Sequence, residues 1–355
     1  FTTARKHIFD YSEELECLIK QYYTSNTTGG VERSALADKI IRLFGYEDES
    51  RIKLNEQVMN RPLVEQIAIK GAQVNVMYGC NLACKYCFAD GDHGKRGRMT
   101  KETACRTIHF IKENMGQTNV MNLSVIGGEP LLNMEAFEEI SKQAKANIEQ
   151  AGTDLFLNTT SNGTLWNDDN TAIIHDYGVK CMVSMDSHEE HVHDYLRPSK
   201  HKTQSTYQNI KMLLDTYKQQ AELNSVHITV TPFNMNISEM AEHFYDMGFY
   251  HLHFSEVQSD LADFQFTVAD IEVLKKEYEK LAEILIRRIG EDFPLNCHPL
   301  LSGLNRLHHR RPHTFKCGSP LNVLAFDPEG DIYPCDMLMW ERYKLGNIDS
   351  GLDKG

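Results

Sequence analysis

Val74-Asn-Val-Met-Tyr-Gly-Cys80-Asn-Leu-Ala-Cys84-Lys-Tyr-Cys87 joins a short apolar run to a cluster of cysteines, and the pattern on either side of it decides the fold. Val74–Tyr78 reads as a strand, the cysteines as a loop at its end, and Lys101–Asn114 as the helix that follows. The alternation then repeats. Strands are expected at Asn122–Ile126, Asp154–Thr160, Lys180–Met185, Val226–Thr231 and His251–Val257. Helices are expected at Met134–Gln150, Asn170–Tyr177, Tyr207–Gln220, Glu239–Met247 and Val268–Gly290, the last as a covering helix. Six near-continuously apolar strands alternating with amphipathic helices indicate parallel βαβ units buried on both faces, hence an α/β protein. The pattern alone fits either an open doubly wound sheet or a curved partial barrel. Residues 1–70 are polar and mixed, with helical patterns at Leu15–Tyr23 and Ser34–Phe44 but no clear strand. After Pro294 the texture changes to short strands and turns with little helical periodicity. The expected division is therefore 1–70, a mostly helical N-terminal segment; 71–292, the core; and 293–355, a small cysteine-bearing appendage.

Composition limits the function. The 355 residues are 41% apolar and 25% charged, an ordinary globular balance, with 50 acidic against 37 basic side chains and a net charge of −13. That sign argues against a nucleic-acid partner. The only basic patch is Arg306–His313, expected as a solvated loop or a contact for an acidic peptide segment. No apolar run reaches the length of a membrane span, and the N-terminus lacks the apolar core of a signal peptide. The missing initiator Met and the polar end IDSGLDKG suggest a trimmed chain. Nine cysteines, an odd number and too few for a disulfide scaffold at this size, suggest a reducing, cytoplasmic setting.

Three thiols at spacings of three and two residues, on a loop at a strand's carboxyl end, can converge on one centre. Chance would produce that spacing roughly 0.006 times in a chain of this composition. Soft thiolates select zinc or an iron–sulfur cluster over hard cations. Structural zinc wants a fourth ligand, and His93 in the following Gly-rich loop is the nearest candidate. Three cysteines without an insistent fourth fit better with a [4Fe–4S] cluster that leaves one iron open.

The Cys80/Cys84/Cys87 spacing resembles the signature of the radical S-adenosylmethionine (SAM) enzymes, in which an aromatic residue, here Tyr86, precedes the third cysteine. Gly127-Gly128-Glu129-Pro130, at the end of the second strand, resembles the family's GGEP motif. Glycines allow close backbone approach to a ligand, and the Glu129 carboxylate suits an ammonium. The resemblance implies that these groups receive the methionine end of SAM. Ser161-Asn162-Gly163 resembles a family turn that meets the SAM ribose or carboxylate. Ser184-Met185-Asp186 and the later Arg197-Pro198 resemble a segment of peptide-modifying members, with Ser187 where glycine is usual. Arg197 would supply a forked cation for the SAM carboxylate. The resemblance implies a partial (β/α)6 barrel, reductive cleavage of SAM to a 5′-deoxyadenosyl radical, and an electron donor such as a flavodoxin or ferredoxin.

Cys317, Gly330 and Cys335, with twelve and four residues between them, resemble the opening of the SPASM auxiliary-cluster domain. By that resemblance Cys317 and Cys335 ligate one or more auxiliary iron–sulfur clusters. Cys297 is a weaker candidate, and Cys17, Cys105 and Cys181 read as buried small apolar residues. The implied substrate is a ribosomally made peptide with a leader segment, for which residues 1–70 are a candidate site. The implied product is a thioether crosslink, with formylglycine formation of the anaerobic sulfatase-maturating type as the alternative. An iron–sulfur electron carrier is the non-enzymatic alternative, against which the glycine–glutamate turn speaks.

Overall fold

The computed structural model describes residues 68–89, 97–200, 205–219, 223–288, 290, 295–309, 319 and 322–352, with backbone alone at 306–309. The helical patterns expected before residue 68 lie outside the described residues. So do Cys17, His93, Cys317 and the second half of the basic stretch Arg306–His313.

The core is a run of strand–helix units: β1 (Gly71–Asn75), α1 (Lys101–Asn114), β2 (Val120–Ile126), α2 (Met134–Ala144), β3 (Asp154–Ser161), α3 (Asp168–Asp176) and β4 (Lys180–Ser184). It continues with α4 (Glu190–Leu196), α5 (Thr206–Tyr217), β5 (Ser225–Val230), α6 (Ile237–Asp246), β6 (His251–Glu256) and α7 (Val268–Arg288). Then come β7 (Asn296–His298), α8 (Leu300–His309) and four short strands, β8 (Val323–Phe326), β9 (Asp331–Tyr333), β10 (Gly346–Asn347) and β11 (Gly351–Leu352).

All belong to one sheet, ordered β11-β10-β9-β8-β1-β2-β3-β4-β5-β6-β7. Every pairing from β8–β1 across to β6–β7 is parallel, and those among β8–β11 are antiparallel. From β1 to β7 the chain advances one strand at a time without reversing. Right-handed crossovers in one direction put all helices on one face and leave the other to curve on itself. A doubly wound sheet would need a reversal of strand order. The sheet is therefore the partial barrel.

Its outer face carries the core: Leu123, Val125, Val183, Ile228 and Phe254 from the strands meet Ile108, Phe137, Ile210, Phe244 and Leu281 from the helices. Leu274, Leu281 and Leu285 are the buried stripe of α7, the covering helix expected there.

Three expectations shift. The first strand begins at Gly71 rather than Val74; Gly71, Ala72 and Gln73 have little β preference, yet each pairs on both sides, with β2 and β8. Residues 300–309 form a helix where little helical periodicity was expected, because Ser302-Gly303 interrupts the apolar spacing Leu300, Leu301, Leu304. Cys105 is half-buried on α1 with its thiol 3.7 Å from His109 Nδ1, not fully buried like Cys181.

Candidate SAM and cluster site

The cysteine loop sits at the carboxyl end of β1, where open α/β sheets and barrels place their sites. It is held from two sides. On one, Ala83 N donates to Pro198 O at 2.9 Å, Lys85 N to Leu196 O at 3.0 Å, and Lys200 N to Asn81 O at 3.1 Å, so the Arg197-Pro198 segment is laced to the loop. On the other lies the glycine–glutamate turn. Gly128 N donates to Met77 O at 2.7 Å and Glu129 N to Gly79 O at 3.0 Å. A Cβ at Gly128 would stand 2.5 Å from the carbonyl oxygens of both Tyr78 and Gly79, and one at Gly127 would stand 2.7 Å from Met77 O. The close approach that requires glycine here is thus to the stem of the cysteine loop itself.

Glu129 is 1% exposed. Its carboxylate accepts from Ser161 Oγ at 2.9 Å, Asn162 N at 2.8 Å and Leu131 N at 3.1 Å. Burial pushes the Glu129 pKa up from the ordinary carboxylate range, and the Asn162, Leu131 and Ser161 donors oppose that shift. Glu129 therefore ties the ends of β2 and β3. About four lone-pair sites belong to a carboxylate, so three donors leave room for one more. Asn162 extends the tie: Nδ2 donates to Asn81 Oδ1 at 2.8 Å and approaches Cys80 Sγ at 3.7 Å. Gly163, at φ +75°, makes the turn that follows.

A second knot lies beyond β4. Asp186 is fully buried. It accepts from Tyr86 Oη and, at 3.0 Å, from Thr229 N, and its Oδ2 lies 3.6 Å from Arg197 Nε. Its own N–H donates to His193 Nδ1 at 3.2 Å, which fixes the proton of neutral His193 on Nε2. Burial pulls the His193 imidazole down to about 4. Arg197 keeps Nε and one terminal nitrogen buried without hydrogen-bond partners, the kind of orphan donors a ligand carboxylate satisfies. Ser187, in the place usual for glycine, is buried and accepts from Glu189 N at 3.0 Å, building a turn of its own. Ser184 is buried at the end of β4.

The structure thus gathers Cys80, Cys84, Cys87, Tyr86, Gly127, Gly128, Glu129, Ser161, Asn162, Ser184 and Arg197 at one end of the barrel. It adds Asn81, Asp186 and His193, which sequence reasoning left out. The three thiols feel one another electrostatically; burial raises Cys80 and takes Cys84 up to about 12, while Arg197 pulls both down. Among the described residues no three His, Cys, Asp or Glu side chains converge closely enough to share one metal ion. A [4Fe–4S] cluster sets its thiolates on separate irons, so this wider loop suits a cluster better than zinc. Cys297 lies in the core of β7, its thiol pushed up to about 12 by burial, and is no exposed ligand.

The Radical SAM superfamily model matches residues 74–247. The serine-type anaerobic sulfatase-maturating enzyme of Klebsiella aerogenes is 23% identical over 286 residues, 76% of this chain and 67% of that protein. The antilisterial bacteriocin subtilosin biosynthesis protein AlbA of Bacillus subtilis (strain 168) is 25% identical over 325 residues, 85% of this chain and 65% of that protein. The solved structure of native anSMEcpe with bound AdoMet superimposes with a TM-score of 0.67 at 19% identity, over 80% of this chain and 79% of that one. A family that works with a [4Fe–4S] cluster and SAM accounts for thiols too widely set for one ion and for an arginine with orphan donors, and this chain belongs to it: it is an enzyme of the radical SAM superfamily.

Proposed function

We propose that the enzyme is a peptide maturase that forms a thioether crosslink in a ribosomally made, cysteine-containing peptide. When bound, the cluster and SAM supply a 5′-deoxyadenosyl radical able to abstract hydrogen from carbon. Cys80, Cys84 and Cys87 hold the cluster, Arg197 and the spare capacity of Glu129 receive the carboxylate and ammonium of SAM, and Asp186 orients Arg197. A flavodoxin or ferredoxin delivers the electron.

The observation that carries the reading is the seat of the C-terminal segment. Asp336, beside Cys335, exchanges two hydrogen bonds with Gln73 on the inner face of β1, at 3.1 and 3.3 Å, and Asn75 reaches Met339 Sδ at 3.6 Å. Cys335 is thereby tethered next to the barrel lumen, where an auxiliary cluster held with Cys317 is suited to bind a substrate thiolate or to accept an electron. Thioether formation balances on that basis. One C–H hydrogen is carried off in 5′-deoxyadenosine, the thiol proton leaves to solvent and a C–S bond forms; an auxiliary cluster, which Cys335 would hold with Cys317, would supply the acceptor for the one electron left over. The similarity to a bacteriocin biosynthesis protein supports a peptide as the substrate. The similarity to sulfatase-maturating enzymes supports formylglycine formation as the second reading.

Coexpression with any short cysteine-containing peptide found encoded beside the gene, followed by mass spectrometry, separates the two. Loss of two hydrogens together with a free thiol supports the crosslink. Gain of an aldehyde at Cys or Ser overturns it in favour of the second reading.

A further inference from the structure

The inner face of the sheet is polar across its width, but its two halves use that polarity differently. In the β1–β3 half the side chains satisfy one another. Ser124 Oγ donates to Asn158 Oδ1 and Asn158 Nδ2 to Asn122 Oδ1, both at 2.7 Å, while Gln73 is spent on Asp336. Beyond β3 the register aligns Ser184 with His227, His227 with His253, and His253 with His298, one lateral row that is level with the carboxyl end of β4 and lies within β5 and β6. The His227 and His253 rings lie 5.3 Å apart, and those of His253 and His298 stack at 4.2 Å with planes 25° apart. The next layer toward the carboxyl end of the strands is Thr229 opposite Ser255.

Neither His227 nor His253 hydrogen-bonds a described residue through its ring, and His298 Nδ1 is buried without a partner. They do not form a metal site, since no three such ligands converge among the described residues. Burial holds His227 and His253 down to about 4, so both are neutral at physiological pH. A neutral imidazole offers one donor and one acceptor, the pair that a peptide amide complements. A buried nitrogen without a partner costs free energy until a ligand pairs it. The charges that act on the row are the Arg197 guanidinium on His227, itself beside Asp186, and the Glu256 carboxylate on His253, which accepts from Tyr278 Oη at 2.8 Å.

We propose that His227, His253 and His298 form the wall that receives the reacting segment of the substrate, and that this segment is uncharged, hydrogen-bonding peptide rather than one presenting an acidic or basic side chain. The proposal rests on the maturase reading above. The row starts at Ser184, on the SAM side of the lumen, and runs away from it, so a segment lying on it is presented to the place where the radical forms.

The test uses the full chain and a peptide encoded beside its gene, and it reads the amount of modified peptide per 5′-deoxyadenosine released. His253→Ala and His298→Ala are expected to lower that ratio at least tenfold and to weaken peptide binding by a similar factor in calorimetry. His253→Asn, which keeps a donor and an acceptor, should recover part of both. An unchanged ratio in both alanine variants overturns the proposal. So does an equal fall in both products with Asn no better than Ala, which marks a packing role. If the parent cleaves SAM but modifies none of the encoded peptides, the maturase reading falls and the wall falls with it.

Discussion

The β1–β4 half of the barrel and the β5–β7 half carry comparable numbers of polar inward residues, yet only the first is written in motifs. There the polar groups are bound to one another: the glycine turn to the loop stem, Glu129 to Ser161 and Asn162, Asp186 to Tyr86 and Arg197. In the second half the histidines touch but do not pair. Groups that must hold a fixed cofactor geometry are braced from several sides, whereas groups that meet a substrate are left with hydrogen-bonding capacity to spare.

The strongest way to break that comparison is at the brace. Gly128→Ala puts a methyl 2.5 Å from two carbonyl oxygens that cannot rotate away. The expected result is destabilisation of at least about 3 kcal/mol in denaturant unfolding, together with loss of bound iron. A well-folded variant with parental iron content would show that the turn is not what positions the loop.

Asp186→Asn comes next. Removing one partner of a buried ion pair costs about 3–5 kcal/mol, since it leaves the other charge uncompensated. Here the loss should appear both in unfolding and as weaker SAM binding. Glu129→Gln is milder: weakening one charge-assisted contact costs roughly 1.5–3 kcal/mol. SAM affinity should fall about ten- to a hundred-fold while the cluster still assembles. Parental affinity would assign Glu129 to the β2–β3 tie alone.

The histidine half makes a pH prediction. His227 and His253 are held down to about 4 by burial, below the ordinary 6.5. Between those values the unfolded chain binds more protons than the folded one, so stability rises with pH across that window. Their contribution is complete above about 6.5 and is lost as pH falls toward 4. Thermal unfolding of His227→Asn should show a shallower slope between pH 4 and 6.5 than the parent. The smallest effect belongs to Cys105→Ser on the half-exposed side of α1, within about 0.5 kcal/mol.

The same contrast governs how much was legible in the sequence. The expected strand and helix positions lie within a few residues of the observed ones because each strand is a short apolar run between amphipathic helices. The β1–β4 site was legible because its residues follow one another on short turns. Asp186 was quoted within a motif but given no role, since a lone acid after a strand usually meets water. Its importance comes from Tyr86, 100 residues away, and from Thr229, 43 away. The histidine row is invisible in the linear order, because only parallel register sets three distant residues side by side. The close fit at Gly128 was legible as a glycine, but not the backbone it approaches, which belongs to Tyr78 and Gly79.

The central claim is that Cys80, Cys84 and Cys87 hold a cluster that cleaves SAM. Its most direct test is anaerobic reconstitution with iron and sulfide, then chromatography of 5′-deoxyadenosine formed from SAM under a strong chemical reductant, for the parent and for Cys84→Ala. The account predicts product from the parent, none from the variant, and an iron content lower by about four atoms per chain in the variant, one [4Fe–4S] cluster. Product from Cys84→Ala at the parental rate, or none from a parent carrying its full iron, would contradict it.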